Sequence, residues 1–396
     1  METLALFGGR PVRQTLLPYA RQSIDQSDID AVTEVLQNDY LTTGPRVAQF
    51  ERDFARYVGA KYAVAVSSGT AALHAACFAA GIGPGDEVIT TPITFAASAN
   101  CVLYMGGKPV FADIDPQTYN IDPEEIKKKI TCKTKAIIPV HFTGQPVDLT
   151  SIHEIAREYG LTVIEDAAHA LGAKYRGRLV GGLSAMTVFS FHPVKHITTG
   201  EGGIITTDDE QLYEMLLLFR THGITRATDR FTRTGMGTWY YEQQFLGYNY
   251  RLTDIQAALG LSQLKKLDKF IARRKEIVSA YNTSLAGLAG IRIPHEKNEC
   301  ESSWHLYVIT IDKKVLKADR ALIFQALKAE NIGVNVHYIP VYHHPFYQEL
   351  GYIRGLCPQA EEFYKCCLSL PLFPAMGIQD VQDVISGVSK VVRHFT

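Results

Sequence analysis

The chain lacks any uninterrupted apolar stretch long enough to span a bilayer, so no segment reads as a membrane helix. Its opening, METLALFGGRPVRQ, lacks the basic flank and apolar core of a secretion signal, and the expectation is a cytoplasmic protein. An excess of one charge is also missing. Forty basic against forty-one acidic side chains leave a net charge of −1, which argues against general affinity for nucleic acid or an anionic membrane. Any anion the protein binds must be held by a local site. Paired cysteines are absent: the seven, Cys77, Cys101, Cys132, Cys300, Cys357, Cys366 and Cys367, show no C-x-x-C spacing and are expected to be reduced packing residues. No carboxylate or cysteine stands at ligand spacing from His337, His343 and His344, so a metal is rejected there. The Gly-x-x-x-x-Gly-Lys loop of nucleotide triphosphatases is missing too.

What is present is an α/β pattern. With 396 residues, 46% of them hydrophobic, the chain can bury a sizeable core and is expected to hold two domains. From Lys61 to Thr207, short β-branched runs (YAVAV, EVITT, AIIPVHF, LTVIED) alternate with helical stretches (TAALHAACFAAG, FAASANCVLYMG, DLTSIHEIAREYG). This alternation predicts a parallel, doubly wound sheet, which binds ligands at the carboxyl ends of its strands. A helix over Gln211 to Arg220 is followed by a polar, aromatic-rich loop, Gly223 to Gly247, too long to be a mere connection. Leu252 to Ala289 reads as a long helical connector. Beyond it, WHLYVITID, ADRALIFQALKAENIG, VNVHYIP and DVQDVISGVSKVV predict strand, helix, strand and helix of a smaller α+β unit.

The chemistry centres on FSFHPVKHITTGEGG, where Lys195 sits between an apolar strand-like run and a glycine-rich turn. A lysine so placed invites a covalent reading, its amine condensing with an aldehyde, although a lone lysine more often snorkels out of a loop. After YAVAV come Ser67, Ser68, Gly69 and Thr70 and then a helix, a site for phosphate or simply an N-cap. Asp166 ends the strand LTVIED and needs a cationic or hydrogen-bonding partner, which a protonated ring nitrogen or an ordinary cap would supply. His169 stands three residues on, either bracing that carboxylate or buried in the core. A phosphate cradle, a carboxylate for a ring nitrogen and a lysine for an aldehyde are together what pyridoxal phosphate requires.

The ordered motifs LTTGP, SSGTAAL, PITFAASAN, VHFTGQPVDL, IEDAAHALGA, SFHPVKHITTGEGG and GYNYRLTDIQAALGLSQL resemble the DegT/DnrJ/EryC1/StrS sugar aminotransferases over nearly the whole chain. The resemblance implies the fold of type I pyridoxal phosphate enzymes, an aspartate aminotransferase-like large domain with a mostly parallel seven-stranded sheet. The implied units are 1–250, whose segment 1–45 contributes to the substrate site, a helical connector 251–288 and a small α+β domain 289–396. By the same resemblance Lys195 carries the cofactor as a Schiff base and Asp166 pairs with its pyridinium. Phe95 stacks on the ring, Gly69, Thr70 and Ser190 bind the phosphate, and Ser68 and His169 complete the cofactor-binding residues. Asn249 reaches the phosphate of the neighbouring subunit, which makes the enzyme a homodimer with shared sites. L-glutamate is the implied donor, converting pyridoxal phosphate to pyridoxamine phosphate, and a keto sugar carried on a nucleoside diphosphate is the acceptor. Dehydratase relatives carry histidine where this chain has Lys195, which favours transamination.

The segment VHYIPVYHHPFYQELGY with AEEFYKCCLSLPLFP is most similar to the pseudaminic acid branch, which aminates C4 of a UDP-linked 4-keto-6-deoxy-N-acetylhexosamine. Tyr19, Asp39, Tyr40, Leu41, Thr42, His337, Val341, Tyr342, His343 and His344 become the substrate candidates, their aromatic and imidazole groups suited to a uracil, phosphates and hydroxyls. Aromatic packing between domains is the competing reading for HYIPVYHHPFY. Other 4-keto sugars, of bacillosamine, legionaminic acid or amino-arabinose type, and 3-keto dTDP sugars stay open.

Overall fold

The computed structural model describes residues 2–37, 40–233 and 235–396, so Asp39 lies outside the described residues. Seven strands form the main sheet: β1 (Tyr62–Val66), β2 (Glu87–Thr90), β3 (Lys108–Phe111), β4 (Thr134–Ile138) and β5 (Thr162–Asp166), then, after a small hairpin of β6 (Lys174–Tyr175) and β7 (Arg178–Leu179), β8 (Met186–Ser190) and β9 (Gly203–Thr207). Their order is β1-β9-β8-β5-β4-β2-β3. The β3, β2, β4, β5 and β8 strands are mutually parallel, while β9 runs antiparallel to both β8 and β1. It follows that β1 points the same way as β5 and β8, and the loops after these three strands open on one edge. The predicted doubly wound sheet is present, with β9 as its one reversed strand.

The sheet is buried on both faces, as near-continuous apolar strands require. Along β1, Ala63 and Ala65 face a core that holds Phe50, Phe54, Phe189 and Phe191, whereas Val64 and Val66 face the alanine-rich helix Gly69–Ala79. Phe50, Phe54 and Phe191 meet edge to face at 5.3 to 5.9 Å, and each fully buried ring contributes about 1.5–3 kcal/mol through burial alone.

The connector is two helices, Asp254–Leu264 and Leu267–Leu285, rather than one. Beyond them β12 (Ile291–Arg292), β14 (Tyr307–Ile311) and β15 (Cys367–Leu370) form a three-stranded antiparallel sheet, while β13 (Cys300–Glu301) joins the hairpin β6 and β7. Helices Arg320–Ala329 and Ile378–Phe395 close over that second sheet with Leu267–Leu285, and Leu4 and Leu17 pack into the same core. VNVHYIP, expected to be a strand, makes a single bridge between Asn335 and Ser369. After that bridge the chain leaves the sheet to line the main cavity, so β15 supplies the ladder instead. All seven cysteines are free, five of them buried. Among the described residues no helix is long and apolar enough to cross a membrane.

Candidate active site

The edge where β1, β5 and β8 end opens into a cavity of about 690 Å³. Ser68, Gly69, Thr70, Phe95, Asp166, His169, Ser190 and Lys195 all line it, so eight residues spread over nearly 130 positions of sequence meet at one place. Ser68 caps the helix Gly69–Ala79, its hydroxyl accepting from the Ala71 N–H. The first N–H groups of that helix lack intrahelical acceptors, and together with the helix dipole they suit an anion. A Cβ on Gly69 would come within 2.9 Å of the Ser190 Cβ, so glycine keeps the Ser190 side chain close to the helix start.

Phe95 is 65% exposed between the buried Ile93 and Ala97. An aromatic face left open on a cavity wall fits a flat ring as its partner. Asp166, almost fully buried, is fixed by two donors: the Ser98 hydroxyl to Oδ2 at 2.6 Å and the Ala168 N–H to Oδ1 at 3.1 Å. Thr94 bonds in turn to Ser98 at 2.7 Å. Ser98 and Thr94 were missed by the sequence reading. Both lie in the quoted PITFAASAN motif, but no local pattern tells a hydroxyl that its partner is 68 residues away.

Lys195 is half-buried and opens on the cavity. Burial lowers its amine from the usual 10.5 to about 8, with the nearby Asp166 carboxylate pulling the other way. His169 meets the Tyr338 hydroxyl through Nε2 at 3.0 Å and packs its ring 4.3 Å from that of His305, another lining residue. Burial pushes His169 and His305 well below the ordinary imidazole value and Tyr338 far above the ordinary phenol, so all three are neutral at pH 7. His305 and Tyr338 also escaped the sequence reading, because both come from C-terminal segments more than 130 residues beyond His169.

The substrate candidates divide. Tyr19, His337 and His344 line the cavity, with the Tyr19 and His337 rings 5.5 Å apart. Burial takes His337 down to about 3, and its Nδ1 meets the Ser369 hydroxyl at 2.7 Å. Val341 and Tyr342 do not line it: both are fully buried among Phe111, Tyr347 and Phe363, and the Tyr342 hydroxyl donates to Glu361. For those two the packing reading is the one observed, because the chain turns into a 3-10 helix at Val341–His343 that faces the core. His343 stands 3.2 Å from Glu361 and likewise does not line the cavity. Tyr40, Leu41 and Thr42 are exposed beside the helix Asp254–Leu264, whose Asp254 N–H donates to the Leu41 carbonyl, and they are not part of the cavity wall. Asn249 is exposed, bridged through its backbone to Thr221, and does not line its own chain's cavity.

The donor set fits pyridoxal phosphate: a helix start and hydroxyls for phosphate, an open aromatic face, a doubly anchored carboxylate and an amine near neutrality. Comparison with known proteins agrees. The model of the DegT/DnrJ/EryC1/StrS aminotransferase family matches residues 22–389. Spore coat polysaccharide biosynthesis protein SpsC of Bacillus subtilis is 46% identical over 384 residues, 96% of this chain and 98% of that protein. Among solved structures, Helicobacter pylori PseC, an aminotransferase involved in the biosynthesis of pseudoaminic acid, superposes with a TM-score of 0.89 at 35% identity, over 96% of this chain and all of that one. Spr1654 of Streptococcus pneumoniae, solved in PLP and PMP forms, superposes at 0.88 and 0.89 with 31% and 32% identity, over 96% of this chain and 99% of that one.

Proposed function

Because the chain belongs to the DegT/DnrJ/EryC1/StrS family of pyridoxal phosphate-dependent sugar aminotransferases, we propose that it moves an amino group from L-glutamate to C4 of a UDP-linked 4-keto-6-deoxy-N-acetylhexosamine. The product would feed a nonulosonate of pseudaminic acid type or another surface glycan. The cofactor, when bound, supplies an aldehyde carbon for amines and a ring that accepts electrons.

The chain's own residues do the rest. The Lys195 Nζ, deprotonated in a large fraction near pH 8, would take the proton from the donor's α-carbon in the first half-reaction and deliver a proton to C4 of the sugar in the second. Asp166, immobilised by Ser98 and Ala168, would hold a proton on the cofactor's ring nitrogen. Phe95 would pack against the ring, and Ser68 to Thr70 with Ser190 would hold the phosphate, all of them lining the cavity. Asn249 would complete that grip in the neighbouring subunit. The observation that carries the reading is the meeting of Lys195, Asp166, Phe95 and the helix start at Gly69 in one cavity.

Tyr19, His337 and His344, which line the same cavity, together with the likeness to Helicobacter pylori PseC, support the UDP sugar. The greater identity to SpsC favours a second reading, an aminotransferase for a different nucleotide keto sugar destined for a surface polysaccharide. A panel of enzymatically made UDP and dTDP keto sugars, each incubated with L-glutamate and read by mass spectrometry, separates the two. Conversion of the UDP-linked 4-ketone to its amine is expected, and strong preference for a dTDP sugar sinks the first reading. Loss of the holoenzyme's yellow colour on adding glutamate alone tests the donor half.

A further inference from the structure

Residues 2–25 form one short 3-10 turn, Ala5–Phe7, and otherwise make little regular structure of their own. A segment of that kind holds its course only through tertiary contacts. Its firmest contact is Glu330, fully buried just past the helix Arg320–Ala329. The Glu330 carboxylate accepts from the Ala5 N–H at 2.8 Å and the Val12 N–H at 2.9 Å, and it pairs with Lys390 at 3.0 Å. Lys390 also donates to the Arg10 carbonyl at 2.8 Å. The attachment continues along the chain: Asn331 donates to the Arg13 carbonyl, the Leu17 N–H to Asn331, and the Gly333 N–H to the Leu17 carbonyl at 2.7 Å. A Cβ on Gly333 would lie 2.4 Å from that carbonyl, so no larger residue allows the approach. Two residues later Tyr19 reaches the cavity, its carbonyl held by the Leu372 N–H at 3.1 Å.

From this run of contacts we infer that Glu330 is a positioning residue for the acceptor pocket, fixing residues 4–17 so that Tyr19 stands in the cavity wall. The inference rests on the reading of that wall as a nucleotide-sugar site. Among the described residues, Glu330 makes no hydrogen bond or ion pair with Tyr19 or the residues of the cofactor set, which are carried by strand ends of the seven-stranded sheet and the segments that follow them. Neutralising it leaves Lys390 buried against a weaker acceptor and the Ala5 and Val12 N–H groups less well satisfied, which loosens the segment upstream of Tyr19. The donor half-reaction, which needs Lys195 and Asp166, is left intact.

The test compares holoenzymes of wild type, Glu330→Gln, Glu330→Asp and Arg13→Ala, with UDP-N-acetylglucosamine as the probe. Glu330→Gln is expected to bind the probe about tenfold more weakly, while its rate of colour loss with glutamate changes less than about twofold. Hydrogen exchange in peptides covering residues 4–19 is expected to quicken, and Glu330→Asp to recover part of the affinity. Arg13, which pairs with Asp380 at 2.8 Å and Asp383 at 2.6 Å nearer the surface, gives a smaller loss of the same kind and serves as the test if Glu330→Gln does not fold. Unchanged probe affinity, or a glutamate rate that falls as much as probe affinity, overturns the inference. If wild type itself does not bind the probe, the nucleotide-sugar reading fails, and exchange over residues 4–19 still decides whether Glu330 anchors the segment.

Discussion

At the scale of single residues the site is governed by what burial does to charge. The Lys195 amine sits at about 8 because the surrounding protein strips water from its ammonium form, and Asp166 recovers only part of that loss. A cation whose folded value lies below its unfolded 10.5 destabilises the fold wherever it is protonated in both states. That cost is complete below about pH 8 and fades as pH rises to 10.5, since the unfolded chain holds more protons across this window. Replacing Lys195 with Met is therefore expected to stabilise the cofactor-free protein at pH 7 by roughly 2 kcal/mol, with the gain vanishing near pH 10.5. Calorimetric melting at both pH values measures it, and the same variant should be inactive. Ser98 offers a subtler case. Ser98→Ala removes one of the two donors that hold Asp166, so kcat is expected to fall about tenfold with KM for the keto sugar little changed. Steady-state kinetics with glutamate saturating gives both numbers, and a change confined to KM would mean that Asp166 is held without Ser98.

At the scale of elements, the loop 223–247 is organised by one side chain. Its ends pair as the ribbon of β10 (Ile224–Thr225) and β11 (Glu242–Gln243). Inside it the Glu242 carboxylate accepts from the Thr232 and Arg233 N–H groups, the Tyr240 and Thr232 hydroxyls and the Gln244 amide. These donors, the Thr232 N–H foremost, bring Glu242 down to about 2. A depressed acid stabilises above its unfolded value of 4.5 and loses that effect as pH falls toward 2. Proteolysis within the loop is expected to accelerate over that interval, and Glu242→Gln to be nicked faster at pH 7; equal nicking rates would show that the ribbon alone suffices. The loop's length was legible in the sequence, but its hub was not, because an acidic residue whose donors lie two, nine and ten positions away leaves no periodic mark. Elements were legible where periodicity was strong. β-branched runs followed by alanine-rich or amphipathic stretches gave the parallel sheet, and the helix Leu149–Tyr159 begins at Asp148 as its capping residue indicates. VNVHYIP has the same composition as a strand, yet its residues after Asn335 line the cavity, a tertiary demand that composition does not encode. Val341 and Tyr342 show the reverse, site-like residues turned into the core by a single 3-10 turn.

At the scale of the whole molecule, the proposed role of Asn249 in the neighbouring subunit implies that one chain leaves its own site incomplete. The wall that would receive the phosphate carries Ser68, Gly69, Thr70 and Ser190, whereas Asn249 is exposed and does not line that cavity. The loop 223–247 presents Trp239 at 75% and Leu246 at 73% exposure, with Met236 and Tyr241 also exposed, and Tyr40 and Leu41 are exposed as well. Apolar surface on that scale is characteristic of an interface, and a twofold dimer places each such residue opposite a partner's. Light scattering is expected to give twice the chain mass, and the pair Trp239→Ser with Leu246→Ser to shift it toward monomer with loss of turnover. Whether the sites are shared follows from mixing Lys195→Ala with Asn249→Ala protein. If Asn249 serves the neighbouring chain, each hybrid dimer has one site with both residues intact, so random exchange should restore about a quarter of wild-type activity. If Asn249 serves its own chain, every site in the mixture lacks one of the two residues, and activity stays at the level of the separate variants.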